Sequence, residues 1–174
     1  MVKAATQTLP AAPKMHETKN DLPEKVRLQV ATLLQERLAD ATDLMIQAKQ
    51  AHWNVKGPSF IALHELFDRI SEDSEEYVDL IAERIVQLGG IAEGTIRLAA
   101  KKSKLPEYPL NISGGNEHVA ALSHALAVFG ELTRKSIDQA NELKDVDTAD
   151  ILTEISRGAD KYLWFVEAHA QADH

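Results

Sequence analysis

The sequence predicts an all-α protein: a four-helix bundle with one long connection between its second and third helices. Three observations carry that expectation. Apolar residues recur every three or four positions through four long stretches. Gly and Pro fall between those stretches, at Lys56-Gly57-Pro58, Gly89-Gly90, Pro106, Pro109 and Gly114-Gly115. No strand-like alternation and no internal repeat interrupts the pattern. With 174 residues and 44% hydrophobic content, the chain suits one globular domain with a substantial core.

Residues 1–20 are rich in Ala, Thr, Pro and Lys and lack a sustained apolar period, which predicts a flexible N-terminal arm ahead of a bundle over 21–170. Residues 171–174 are left as a C-terminal tail. Asp21 near the cap and Pro23 in the first turn open the first helix. Its inner stripe is Val30, Leu34, Leu38, Ala41, Met45, Ala48 and His52, so His52 points inward. Ser59 is positioned to cap the second helix, which runs to Gly89-Gly90 with Phe60, Leu63, Phe67, Ile70, Val78, Ile81, Ile85 and Leu88 on its apolar face.

Residues 91–115 read as irregular, with room for a short helical piece over Thr95–Lys101. Asn116 is expected to cap a third helix, whose stripe is Val119, Leu122, Leu126, Phe129, Leu132 and Ile137 and which frays at Leu143-Lys144-Asp145. Asp147-Thr148-Ala149-Asp150 starts the fourth, with acids favourably placed in its first turn. Ile151, Leu152, Ile155, Ala159, Tyr162, Leu163 and Val166 form its inner face.

Composition removes several classes of function. There is no cysteine, hence no disulfide, thiolate metal site or Cys nucleophile. No apolar run is long enough to cross a bilayer, so no membrane partner is expected; Leu9-Pro10-Ala11-Ala12-Pro13 is too short and broken for a signal-peptide core, and the lack of cysteine fits a cytoplasmic protein. The formal net charge is −8; residues 1–20 carry Lys3, Lys14 and Lys19 against Glu17, a net of +2, which leaves −10 on the body. Such a body repels phosphates, so nucleic acid could be touched only through the arm.

The chemistry concentrates on the second helix. At about 100° per residue, and with His64 at zero, Asp68 falls near ~40°, Glu72 near ~80°, Glu75 near ~20°, Asp79 near ~60° and Glu83 near ~100°. One stripe therefore holds six metal-capable side chains. His64 and Glu83 are about 28 Å apart along the axis, far beyond the reach of one ion with metal–ligand bonds near ~2 Å. His64 with Asp68, and Asp79 with Glu83, are instead two half-sites placed symmetrically about the middle of the helix. An antiparallel two-fold copy sets each half-site against the other, forming two identical sites between subunits, with His52 as a further nitrogen ligand. Two imidazoles and three carboxylates suit Fe(II), Mn(II) or Zn(II). An acidic stripe is also what a solvated helix face looks like, and Trp53 is open to redox work or to plain packing.

The segments Lys49-Gln50-Ala51-His52-Trp53-Asn54-Val55-Lys56-Gly57, His64-Glu65-x-x-Asp68 and Asp79-x-x-x-Glu83-Arg84-x-x-Gln87-Leu88-Gly89-Gly90 closely resemble the Dps family, the DNA-binding proteins from starved cells or mini-ferritins. Asp147 to Leu152 and Asp160 to Phe165 also look like that family, and the similarity covers about residues 20–168. The resemblance implies a ferritin-like bundle assembled into a hollow homododecamer. It implies ferroxidase centres at two-fold interfaces, with His52, His64 and Asp68 from one chain and Asp79 and Glu83 from the other. Fe(II) would be the substrate, hydrogen peroxide or O2 the oxidant and a stored ferric mineral the product, with DNA protected from oxidative damage. An intrachain di-iron bundle usually offers Glu-x-x-His pairs, and none of the seven histidines has Glu three positions before it, which disfavours an ordinary ferritin.

The acids Asp145, Asp147, Asp150 and Glu154 resemble the family's three-fold pore lining; the plainer reading is an N-terminal cap with dipole partners. Glu72 and Glu75 are candidates to nucleate mineral. DNA contact through the arm is expected to be weak and salt-sensitive, with nucleoid association resting on twelve-fold avidity. The competing reading is a non-catalytic DNA-binding cage whose sites hold Zn(II).

Overall fold

The computed structural model describes residues 15–171; most of the predicted arm and the tail after 171 lie outside the described residues. Among the described residues there are five helices: α1 (Glu24–Asn54), α2 (Phe60–Gln87), α3 (Ile96–Lys102), α4 (Gly115–Glu142) and α5 (Val146–Glu167). α1 packs along α2 and α4 along α5, and the two hairpins close through α1 against α4 and α2 against α5. The long connection carries α3 across α1. This is the four-helix bundle the periodicity predicts, with the short helical piece in place.

The core follows the predicted stripes. Leu34, Leu38 and Leu44 of α1, Phe67, Ile70, Ile81 and Ile85 of α2, Leu122, Leu126 and Phe129 of α4, and Leu152 and Ile155 of α5 are almost wholly buried. Each such side chain contributes roughly 1.5–3 kcal/mol relative to an exposed one. The stripe on α2 is not continuous. Ser71, Ser74 and Tyr77 occupy its middle, and Tyr77 lies so close to Gly158 of α5 that no Cβ fits there. Phe60, assigned to that apolar face, is 43% exposed; its ring lies 5.0 Å from that of His64 instead of in the core.

The helix starts differ from those expected. Pro23, not Asp21, stands at the N-cap of α1, and its carbonyl accepts from the amides of Val26 (2.8 Å) and Arg27 (3.0 Å). Ser59 occupies the N-cap of α2 but its hydroxyl caps nothing. α4 starts one residue before Asn116: Gly114 is its N-cap, and Glu117 accepts from the Gly114 amide at 2.9 Å. That bond holds the Glu117 carboxyl below its usual range. α5 begins at Val146, capped by Asp145 rather than by Asp147. Lys144, with φ 65°, makes the left-handed turn that ends α4 and brings Asp145 into place.

Polar clamps fix the long connection. The Asp40 carboxylate accepts from the Lys104 amide at 2.7 Å, Gln47 donates to the Pro106 carbonyl at 2.9 Å, and Gln35 donates to the Glu93 carbonyl at 3.0 Å. At the far end, the Lys56 amide donates to the Ser113 carbonyl (2.9 Å) and the Gly115 amide to the Lys56 carbonyl (3.1 Å). These bonds hold the α1–α2 turn against the start of α4. Residues 15–20, assigned to the arm, include one fixed point: the His16 amide donates to the Gly89 carbonyl at 2.7 Å. No helix among the described residues is long and apolar enough to cross a membrane.

Candidate metal centre

The tight turn between α1 and α2 sets the last turn of one helix against the first turns of the other, which brings His52, His64 and Asp68 together. The two imidazoles stack with centroids 3.7 Å apart and planes inclined by 21°. His52 Nδ1 lies 2.8 Å from the His64 carbonyl, and His64 Nδ1 lies 2.8 Å from the His52 carbonyl. A carbonyl oxygen only accepts, so each Nδ1 carries the proton and donates. With Nδ1 committed in this way, Nε2 is the nitrogen of each ring left to bind a metal.

Asp68 completes this half of the site. His52 Nδ1 is 3.8 Å from its carboxylate, and the Lys49 ammonium forms an ion pair with it. The Lys49 hydrogen bond, helped by the nearby imidazoles, holds the Asp68 carboxyl below its usual range despite some desolvation. Lys49 was not among the residues picked from the sequence. The available signal was its position one turn before His52 on α1, but its partner lies on the next helix.

Asp79 and Glu83 are exposed further along α2. Asp79 shares an open acidic depression with Glu72, Glu75 and Glu76. Glu72 and Glu75 thus sit beside one ligand candidate, about 6 to 11 Å from it by helix rise. Asp68 and Asp79 are separated by about 16 Å of rise. Among the described residues, no three or more His, Asp or Glu side chains of this one chain are gathered so as to hold a metal ion. The chain therefore offers a nitrogen-rich half and a carboxylate half, each short of ligands.

The acids around the start of α5 divide in two. Asp145 is 2% exposed and is fully engaged: Arg84 donates to it at 2.8 Å, and the Thr148 amide and hydroxyl donate to it at 3.1 and 2.7 Å. Arg84 also donates to the Thr148 hydroxyl at 2.9 Å, which ties α2 to the N-terminus of α5. Asp145 is a buried cap and does not belong to an exposed acidic lining. Asp147, Asp150 and Glu154 do face outward. Trp53 is 64% exposed, so in this chain it packs into no core.

Comparison with known proteins agrees with this architecture. The ferritin-like domain family matches residues 31–173. A DNA protection during starvation protein of Agrobacterium fabrum is 46% identical over 158 residues, covering 91% of this chain and 98% of that protein. The protein of the same name from Mycolicibacterium smegmatis is 36% identical over 151 residues, covering 87% and 82%. Among solved structures, Mycobacterium smegmatis Dps in a tetragonal form superposes with a TM-score of 0.84 at 36% identity, over 88% of this chain and 94% of that one. Dps from Microbacterium arborescens in a high iron form gives 0.80 at 31% identity, over 89% and 99%. With the bundle, the paired histidines and these similarities together, the chain belongs to the Dps family of the ferritin-like superfamily.

Proposed function

We propose that this protein oxidises Fe(II) and stores the ferric product inside a hollow twelve-subunit shell, and so protects DNA from oxidative damage. The observation that carries this reading is the reciprocal His52–His64 pair, with Asp68 close to His52 and, among the described residues of one chain, no gathered set of three or more ligands to complete a metal site. Asp79 and Glu83 of the partner subunit would complete the site across a two-fold axis. The oxygen-rich set accommodates Fe(II) and favours Fe(III) once it forms. Hydrogen peroxide, or O2, is the oxidant: two Fe(II) ions give one electron each to a peroxide, whose O–O bond breaks without releasing a radical. The high iron form of the Microbacterium arborescens relative supports an iron-handling role. The names of the Agrobacterium and Mycolicibacterium relatives support DNA protection.

Around three-fold axes of the shell, Asp147, Asp150 and Glu154 would draw Fe(II) inward electrostatically, while Glu72 and Glu75 would seed the mineral. The lysine-bearing arm offers DNA a weak, salt-sensitive contact in the cytoplasm.

A subunit-mixing experiment tests the shared site. One variant carries His64→Ala/Asp68→Ala and the other Asp79→Ala/Glu83→Ala. Each alone is expected to lose rapid Fe(II) oxidation by peroxide. Coassembled, they recover part of it, because one site of each mixed pair is built only from intact halves. No recovery in verified mixed shells overturns the shared site. A wild-type shell that binds Zn(II) and leaves Fe(II) and peroxide unconsumed overturns the ferroxidase reading in favour of a DNA-binding cage.

A further inference from the structure

The arm is not the one basic element of this acidic chain. Arg97, Lys101, Lys102 and Lys104 fall within eight residues of the long connection, with no Asp or Glu among them, in a chain of net charge −8. The first three lie on α3, and the row continues through Lys104 just past its end. Taking Arg97 as zero on the helix, Lys101 falls at about 40° and Ala99 at about 200°. Ala99 is the residue buried against the bundle, and Arg97, Ala100 and Lys101 are exposed. Lys102 pairs with Glu93 at 2.7 Å and Lys104 with Glu36 at 2.6 Å, whereas Arg97 and Lys101 have no carboxylate partner among the described residues.

This short helix is braced at both ends. Before it, Gln35 exchanges two hydrogen bonds with the main chain of Glu93, each at 3.0 Å. After it, the Ser103 hydroxyl donates to Asp43 at 2.6 Å and the Lys104 amide to Asp40 at 2.7 Å. The cations therefore stand on a ridge fixed to α1. Helix stability accounts for only part of the row. Lys101 and Lys102 in the last turn suit the helix dipole, but Arg97 is the second residue of α3, where the dipole disfavours a cation.

From this placement we propose that the outward face of α3, led by Arg97 and Lys101, grips the phosphodiester backbone of duplex DNA independently of the arm. The inference rests on the DNA-protection reading above and gives it a contact surface on the body of the protein. Net charge does not forbid the contact. The Debye length is about 10 Å at 0.1 M salt, and α3 is itself about 10 Å long, so a phosphate at the ridge responds to the cations beside it more than to the distant acids of the body. Arg97 and Lys101 are about 6 Å apart along one face, and each DNA strand offers a phosphate about every 3.4 Å of axis, so the two meet phosphates nearly two steps apart. The Arg97 fork matches two oxygens of one phosphate, and Ala100 beside it leaves room for the backbone to approach. In a twelve-subunit shell the ridge recurs, and weak contacts add through avidity.

The test measures binding of a labelled mixed-sequence duplex to the assembled full-length protein between about 50 and 200 mM salt. Arg97→Gln/Lys101→Gln should weaken binding about tenfold or more at low salt and flatten the slope of log K against log salt by about 1.8 for each ridge engaged. Arg97→Lys keeps the charge and should keep the slope. Full-length Lys3→Gln/Lys14→Gln/Lys19→Gln, with the ridge intact, should lose less than the ridge variant. Shell size by scattering and Fe(II) oxidation should match wild type in all three. An unchanged slope in Arg97→Gln/Lys101→Gln, or complete loss in the arm variant, overturns the proposal. So does a wild-type shell that ignores the duplex while retaining labelled polyglutamate, which would assign the ridge to an acidic polypeptide. A shell that shields DNA from Fe(II) and peroxide without binding it keeps the proposed function and removes the ridge. Duplex binding that depends on the ridge in a shell that leaves Fe(II) unoxidised keeps the ridge and defeats the ferroxidase reading.

Discussion

His52 and His64 lock each other: each ring donates its Nδ1 proton to the other residue's main-chain carbonyl, both at 2.8 Å. The two helices thereby fix both tautomers and both ring orientations without help from any third side chain. His52→Ala should therefore damage the site twice, by removing a ligand and by leaving His64 free to rotate. The expected loss in Fe(II) oxidation rate by stopped-flow absorbance is about 100-fold or more, above the roughly 10–100-fold that an orienting partner alone controls. His64→Ala should behave alike. If either variant keeps near-wild-type rates, the paired imidazoles are not ligands.

In the proposed metal centre, Lys49 would compete with the ion for Asp68. Lys49→Met should leave Asp68 unpaired and tighten anaerobic Co(II) binding by about tenfold, equivalent to ~1.4 kcal/mol, measured by calorimetry. The sign of the pH effect follows from Asp68. Its carboxyl is depressed in the folded chain, chiefly by Lys49, so the pair contributes stability above the ordinary value of 3.8 and loses it as pH falls through the depressed folded value. In Lys49→Met the Asp68 titration should move up toward 3.8, as read by NMR of the carboxyl carbon. An unchanged midpoint would mean that Lys49 does not hold this carboxylate.

Both residues show where sequence reading works and where it stops. His52 and His64 were legible because each continues a helical stripe whose period is set by backbone geometry. The two half-sites were legible because helix rise alone forbids one ion from spanning them. The Lys49–Asp68 pair was not, because it joins residues on two helices whose facing depends on the intervening turn. Helix starts were misplaced by one or two residues for a related reason. Pro23, Glu117 and Asp145 outcompete nearby Asp21, Asn116 and Asp147 through the path of the chain, which composition does not encode. Ser71, Ser74 and Tyr77, absent from the apolar stripe read in the sequence, are buried in α2, where Tyr77 packs against Gly158 of α5.

That last contact makes Gly158 a test of packing. In an exposed helix interior, Gly→Ala stabilises by about 1 kcal/mol. Here the new methyl would collide with the Tyr77 hydroxyl, so Gly158→Ala should destabilise by roughly 1–3 kcal/mol in urea unfolding. Tyr77→Phe removes the colliding oxygen and should recover part of that loss in the double variant. Equal losses with and without the hydroxyl would place the strain elsewhere.

Asp145 and Asp147 stand two residues apart and should fail in opposite ways. Asp145 is buried against Arg84 and Thr148, so Asp145→Ala leaves a buried guanidinium unpaired and an uncapped helix. The expected cost is about 3–5 kcal/mol, seen as a large fall in thermal midpoint. The Asp147 side chain is 78% exposed and only 4.0 Å from Arg84 at its nearest, so Asp147→Ala should leave the midpoint within about 0.5 kcal/mol of wild type. On the proposed reading, its effect would fall on iron entry. If Asp147 lines the proposed pore, its removal lowers the local Fe(II) concentration, so mineral growth should slow most at low ionic strength and converge on wild type in high salt. A slowdown that ignores salt would mean that Asp147 acts by shape rather than by charge. A stability loss in Asp147→Ala equal to that of Asp145→Ala would show that both acids act as caps, and would leave Asp150 and Glu154 as the carboxylates of the pore.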